Sequence, residues 1–123
     1  MGTMERLEEE IEWYFYRFIQ KIQQLQNAAL ASSLWKERAV VRVKKGRVYW
    51  RIWIDVFDGF EAECEADLQR IFGFVRRKDG AIFRASTFRA PEVRTKTAIR
   101  GYVYDEDVED YFTVHGITYA PTR

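Results

Sequence analysis

Apolar residues recur every three or four positions through the first quarter of the chain. Met4, Leu7, Ile11, Tyr14, Phe18, Ile22, Leu25 and Ala29 fall on one side of a helical repeat. The pattern predicts a long helix over residues 4–34. Glu5, Glu8, Glu9 and Glu10 occupy its first turns, where the helix dipole favours negative charge, and Thr3 is placed to cap it. Neither proline nor glycine interrupts residues 3–45. Such a helix is ~45 Å long, whereas a compact chain of this size has a radius of gyration of roughly 14 Å. Either the helix breaks near Gln26-Asn27, or it packs against a copy of itself. The run Trp13-Tyr14-Phe15-Tyr16 is apolar on every side, more than one sheet can cover, and 28–33 is small enough for close helix contact. The reading is a self-association element over residues 1–36, with Ile11, Tyr14, Phe18, Ile22 and Leu25 at the contact between subunits.

The period then changes to two. Residues 39–44 are β-branched and end at a Lys45-Gly46 turn. From Arg47 to Phe57, Val48, Trp50, Ile52, Ile54 and Val56 alternate with Tyr49, Arg51, Trp53, Asp55 and Phe57. Asp58-Gly59 is a hairpin signal. Beyond it, Glu61, Glu63, Glu65 and Asp67 alternate with Ala62, Cys64 and Ala66, which favours a strand with one acidic face. The competing reading is a helix, since Phe60, Cys64, Leu68 and Ile71 fit its spacing. A further hairpin joins Ile71–Arg77 to Ala81–Phe88 around Asp79-Gly80, and Ala90-Pro91 stops it. A helical turn capped by Asp105 is expected over 105–111, and a short edge strand over 113–119. The fold expected is α+β in a single domain: a long N-terminal helix, an antiparallel meander of about five strands over 37–123, and an irregular C-terminal tail.

Composition narrows the function. With 123 residues, 47% hydrophobic and 32% charged, the chain is neither disordered nor built for a membrane, and no apolar run approaches the ~20 residues of a span. The start Met-Gly-Thr-Met-Glu lacks the apolar core of a secretory signal, so the expected location is cytoplasmic, in a host cell if the protein is viral. A single cysteine, Cys64, excludes an internal disulfide, and a single histidine, His115, has no partner at ligand spacing. Walker and Gly-x-Gly-x-x-Gly signatures are absent. The acidic run 105–110 lacks the central glycine of a calcium loop. Paired carboxylates among Asp55, Asp58 and 61–65 read as solvated or arginine-paired rather than catalytic. We expect no catalysis, cofactor or metal.

Charge is arranged in blocks. Residues 36–57 carry a net +5 and residues 68–100 a net +7, against −5 for 58–67 and −4 for 101–123. A basic surface can therefore exist on a chain whose net charge is +1. The richest stretch, Gly73–Gly101, places eight bases between Arg76 and Arg100, interleaved with Phe74, Phe83 and Phe88. Flat rings beside guanidinium groups are what stacking on a base and gripping a phosphate require. Phe74 and Phe83 read as core of the hairpin. Phe88, at a strand end, is the candidate ligand-facing ring.

The stretch Arg84-Ala85-Ser86-Thr87-Phe88-Arg89-Ala90-Pro91, followed by Arg94, Lys96 and Arg100-Gly101, resembles a pattern in small phage proteins, among them the anti-Thoeris sponge proteins of the first described type. It covers about thirty residues. The resemblance implies a helix-assembled oligomer that sequesters cyclic ADP-ribose signals or cyclic oligonucleotides without chemistry. It implies Phe88 stacked on adenine, Arg89 and Arg100 on phosphates, and Arg84, Arg94 and Lys96 nearby. The spacing from Phe88 to Arg100 is longer here, and Tyr102 stands where that family tends to carry Asn. The expected partners are an anionic nucleotide and a second copy of the chain. The alternatives are a nucleic-acid module using Arg47, Arg51, Tyr49, Trp53 and Phe57 as a stacking platform, and a ligand-free viral assembly protein or host inhibitor.

Overall fold

A computed structural model describes residues 2–31, 37–58 and 68–118, with side chains from Glu8 onward except that of Asp58. The architecture is α+β. One helix, α1 (Gly2–Leu30), precedes a five-stranded antiparallel sheet: β1 (Glu37–Lys45), β2 (Tyr49–Asp58), β3 (Leu68–Arg76), β4 (Ala81–Phe83) and β5 (Ile99–Tyr102), in that spatial order. A 3-10 turn, η1 (Val108–Tyr111), leads into a small hairpin of β6 (Phe112–Thr113) and β7 (Gly116–Ile117). No described helix is long and apolar enough to cross a membrane.

The helix runs unbroken through Gln26-Asn27 and ends at Leu30, with Ala31 already a turn, and residues 32–34 of the expected helix lie outside the described residues. Its apolar stripe lies on the sheet of its own chain. Ile11, Phe15, Phe18 and Ile22 are buried with Trp50, Ile52, Ile54, Val75 and Ile82, and the Phe15 ring stacks on Trp50 at 4.0 Å. This corrects the expected subunit contact: Ile11, Phe18 and Ile22 pack inside the chain, Leu25 is partly buried beside them, and only Tyr14 of that set is exposed. The reason is that every second residue of β2 offers an apolar partner for the same stripe.

Two glutamines fasten the helix. The Gln23 amide accepts from the Val41 N–H at 2.9 Å and donates to the Ala39 carbonyl at 2.9 Å, so the outer edge of β1 is occupied at these positions. The buried Gln26 donates to the Val114 carbonyl at 2.7 Å, tying the helix to the β6–β7 turn.

Two register shifts decide which side chains face which way. One lies between Ile52 and Trp53 of β2 and leaves Phe72 as the extra residue of β3. Phe72 therefore joins the helix-side core, 6.0 Å from Phe112, while Ile71 faces the other side. The second lies between Ile82 and Phe83 and leaves Arg100 as the extra residue of β5. At Gly101 the Tyr111 ring packs against the backbone where a Cβ would stand. Gly80 closes the β3–β4 turn at φ +77, the left-handed conformation that glycine tolerates.

Three further expectations change. The strand expected over 81–88 stops at Phe83, and the following residues form an excursion closed by the Ala85–Pro91 bridge. The edge strand expected over 113–119 is the β6–β7 hairpin instead. Asp105 does not cap the 3-10 turn: Asp107 precedes it, and the Asp105 carboxylate accepts from the Tyr102 N–H and the Tyr111 hydroxyl. The Asp58-Gly59 turn and the strand-or-helix alternatives for 61–67 lie outside the described residues.

Candidate anion-binding face

Side chains that alternate away from the helix build a second face. Phe74, Ala81 and Phe83 are buried there, with Tyr49, Ile71, Ala85, Ala98 and Tyr102 packed around them. The Tyr49 ring meets Phe74 and Phe83 edge-on, at 6.2 and 5.7 Å. Phe74 and Phe83 are thus core residues, as their spacing suggested, but of a cluster separate from the main one.

Residues 84–98 lie over part of this face. Their turn is self-supporting: Ser86 and Thr87 N–H groups donate to the Ala90 carbonyl, and the Thr87 hydroxyl accepts from the Arg89 and Ala90 N–H groups. The turn presents Phe88 to β2. The ring lies 6.1 Å from Trp53, with the Arg51 guanidinium over it at 5.5 Å. Phe88 is half-buried rather than projecting freely.

Beside Phe88 a cleft of about 200 Å³ is lined by Lys44, Arg47, Arg51 and Arg89, with Tyr49, Phe74 and Pro91 as its apolar walls. Adjacent β1 and β2 residues supply Lys44 and Arg51. Arg47 sits on the turn between them, which Arg77 fixes by donating to the Gly46 carbonyl at 2.8 Å. No carboxylate of a described residue lines this cleft. Among the described residues, none of its four cations takes part in an ion pair. The Arg51 Nε is buried and has no acceptor among the described residues. Four positive charges that form no ion pair among the described residues, set around aromatic walls, attract an anion that carries a flat ring.

Across Tyr49 a second cleft, of about 380 Å³, is lined by Arg76, Phe83, Val93, Thr95, Lys96 and Ile99. Arg76 is committed to Asp79, with Nη2 and Oδ2 2.6 Å apart. That hydrogen bond, opposed by burial, raises the guanidinium above its ordinary value. Lys96 forms no ion pair among the described residues. A larger cleft at the start of the helix mixes Glu8, Glu9 and Glu12 with Lys45, Arg47, Arg77 and Lys78, so its charges offset one another.

The sequence-selected cations divide between the two faces. Phe88, Arg89 and Lys96 belong to the outer face, and Arg94 is exposed on the same excursion, its N–H bonded to the Glu92 carboxylate. Arg84 and Arg100 do not join them. Arg84 Nε donates to the Ile117 carbonyl at 3.1 Å, and Arg100 Nη2 lies 3.5 Å from the Thr118 hydroxyl, both toward the β6–β7 hairpin. The cause is the extra residue in β5, which turns Arg100 away from the face that Ile99 occupies. Conversely, Lys44 enters the site without having been singled out, and Arg47 and Arg51 enter it from the nucleic-acid alternative. Their signal was the net +5 of residues 36–57 together with the alternation of β2.

Part of the helix surface is also unpartnered. Trp13, Tyr14, Tyr16 and Tyr104 are exposed, with the Arg17 guanidinium 4.8 Å above the Trp13 ring. No described cluster of His, Cys, Asp or Glu is placed to hold a metal. Comparison with known protein families, with curated proteins and with solved structures finds no match for this chain.

Proposed function

We propose that this chain is a non-enzymatic binding protein that sequesters an anionic nucleotide on the outer face of its sheet. The observation that supports this reading is the cleft of Lys44, Arg47, Arg51 and Arg89, without a carboxylate among its described lining residues, beside the half-buried Phe88 ring. A base stacks on Phe88, displacing its contact with Trp53, while phosphates meet the four cations. Stacking of this kind is worth ~1–3 kcal/mol per base. The resemblance to phage counter-defence sponges suggests a cyclic nucleotide immune signal as the ligand. Self-association through Trp13, Tyr14 and Tyr16 is part of the same proposal, as is action in the cytoplasm of an infected cell.

A second reading has its own support. Arg51, Trp53 and Phe88 form a shelf open to a strand of nucleic acid as well as to a single nucleotide. Calorimetric titration with cyclic ADP-ribose isomers, cyclic di- and trinucleotides and a short single-stranded oligonucleotide separates the two. Saturable binding of one cyclic nucleotide, lost in Phe88→Ala, supports sequestration. Binding of the oligonucleotide alone, with an affinity that falls log-linearly with salt, supports the nucleic-acid module. No heat from any of them removes both readings and leaves an assembly protein.

A further inference from the structure

Phe88 meets two side chains of β2, the Arg51 guanidinium 5.5 Å from its ring centre and the Trp53 ring at 6.1 Å. Arg51 and Trp53 are two residues apart on one strand, so they stand side by side on the outer face. The partners differ in what fixes them. The hydrogen bonds of the Phe88 turn run between residues 86 and 90 and leave the sheet untouched. Trp53 is anchored in the sheet itself. Its Nε1–H donates to Asp55 Oδ1 at 3.0 Å, and Asp55 Oδ2 accepts from the Arg42 Nε–H at 3.1 Å. Arg42 lies directly opposite Trp53 on β1.

Asp55 is only 8% exposed. A buried carboxylate is costly unless an opposite charge and hydrogen bonds compensate it. Arg42 supplies the charge and the indole supplies a second hydrogen bond, which fixes the plane of the Trp53 ring. Arg42 also offsets the carboxylate, so an anion in the neighbouring cleft meets no bare negative charge here. The Phe88 and Trp53 rings are tilted by 52°. A flat ring placed between two others needs roughly 3.5 Å on each side, or about 7 Å between the plates. From 6.1 Å, Phe88 has to withdraw by about 1 Å and flatten. Its turn supplies that movement without breaking a sheet hydrogen bond, whereas Trp53 cannot move without leaving Asp55.

We propose that the base of the ligand enters between Phe88 and Trp53, and that Asp55 is a positioning residue that holds Trp53 as the fixed plate of this clamp. The inference rests on the proposed nucleotide site and adds the class of ligand it selects. Two plates favour a flat base over a bare phosphate, and the two-ring indole is covered more fully by a purine than by a pyrimidine. The site therefore selects purine nucleotides.

The test follows the Trp53 indole N–H resonance of the ¹⁵N-labelled full chain, identified by its loss in Trp53→Phe, during separate titrations with AMP, CMP and ribose 5-phosphate. The expected result is a saturable shift with AMP, weaker binding of CMP, and no movement of Trp53 with ribose 5-phosphate, which lacks the base. Affinities of the variants are read by calorimetry. Trp53→Ala weakens AMP about tenfold or more and leaves ribose 5-phosphate unchanged. Asp55→Ala lowers the AMP affinity in the same direction, whereas Asp55→Asn keeps an acceptor for the indole and retains the preference for AMP over ribose 5-phosphate. A merely structural role would not move that ratio, since a collapsed face loses both ligands alike. Trp53 is only half-buried, so its variants carry the test if Asp55→Ala does not fold. AMP binding that is lost in Phe88→Ala but unchanged in Trp53→Ala overturns the clamp and leaves the Phe88 site standing. Equal affinities for AMP and CMP overturn the purine selection, and an unchanged AMP affinity in folded Asp55→Ala overturns the positioning role. No response to AMP or to ribose 5-phosphate overturns the clamp together with the nucleotide site.

Discussion

The two faces of the sheet come from the same alternation, yet they are closed in different ways. On the helix side, Trp50, Ile52 and Ile54 meet Ile11, Phe15, Phe18 and Ile22, and apolar surface covers apolar surface. On the outer side, the alternate residues of β2 are Tyr49, Arg51, Trp53 and the buried Asp55, and the cover is an irregular excursion rich in arginine. Phe74, Ala81 and Phe83 close there, and of the cations around them Arg76 is paired with Asp79, while Lys44, Arg47, Arg51 and Arg89 form no ion pair among the described residues. One face stores stability and the other stores charge. A ligand that neutralises the charge finds its partners on the second face without disturbing the first.

The largest effect that separates the faces is a core deletion. Phe15→Ala removes a fully buried ring and its stack on Trp50, and is expected to cost about 3–5 kcal/mol, read from urea unfolding. Phe88→Ala removes a half-buried ring of the outer face, and is expected to cost only about 1 kcal/mol. If the proposed nucleotide binding holds, its larger consequence falls there, with affinity expected to weaken about tenfold or more. A stability loss in Phe88→Ala equal to that in Phe15→Ala erases the distinction between the faces.

Much of the fold was legible from periodicity. The helix stripe, the three long strands and the Asp79-Gly80 turn follow from spacing that a single sequence displays. What it does not display is register. Phe72 and Arg100 each face the helix side because one extra residue enters a strand, and a one-residue slip exchanges the two faces. The candidate site was therefore half legible. Phe88 and Arg89 lie together on the outer face, but Arg100 is turned away, and Lys44 arrives from a strand far off in sequence. The helix interface was misplaced for a related reason. An apolar stripe states that it needs a partner, not whether that partner is the chain's own sheet or another copy.

A smaller effect belongs to Tyr111, which packs on β5 at Gly101. The Tyr111 hydroxyl lies 2.7 Å from the Asp105 carboxylate and 2.9 Å from that of Asp107, and its ring covers Gly101. Burial and these two carboxylates hold its hydroxyl well above the ordinary tyrosine value, so it remains a donor throughout the working pH range. Tyr111→Phe keeps the ring but leaves Asp105 with only the Tyr102 N–H. The expected cost is about 1–2 kcal/mol in unfolding free energy. An unchanged stability means that water replaces the hydroxyl at no loss.

The smallest effect is one of pH, and it belongs to the outer face. Burial works to raise the Asp79 carboxyl, but hydrogen bonds from Arg76 and the Ala81 N–H, with the Arg76 charge, hold it below its ordinary 3.8. A carboxyl lowered on folding contributes its full stability above the unfolded value and loses it as pH falls through the folded one. The contribution is therefore complete at neutral pH and fades below about pH 4. It is expected to be about 1 kcal/mol or less, since both side chains remain partly exposed. Asp79→Asn should remove this part of the acid sensitivity, read as a smaller stability difference between pH 7 and pH 3 than in the parent chain. Because the Arg76 guanidinium also lies 5.3 Å from the Phe83 ring, releasing it adds a free cation to the larger outer cleft. The same variant should therefore bind an anionic nucleotide more tightly as it becomes less stable. Parallel losses of stability and affinity would show that Asp79 supports the site, not that it competes with the ligand for Arg76.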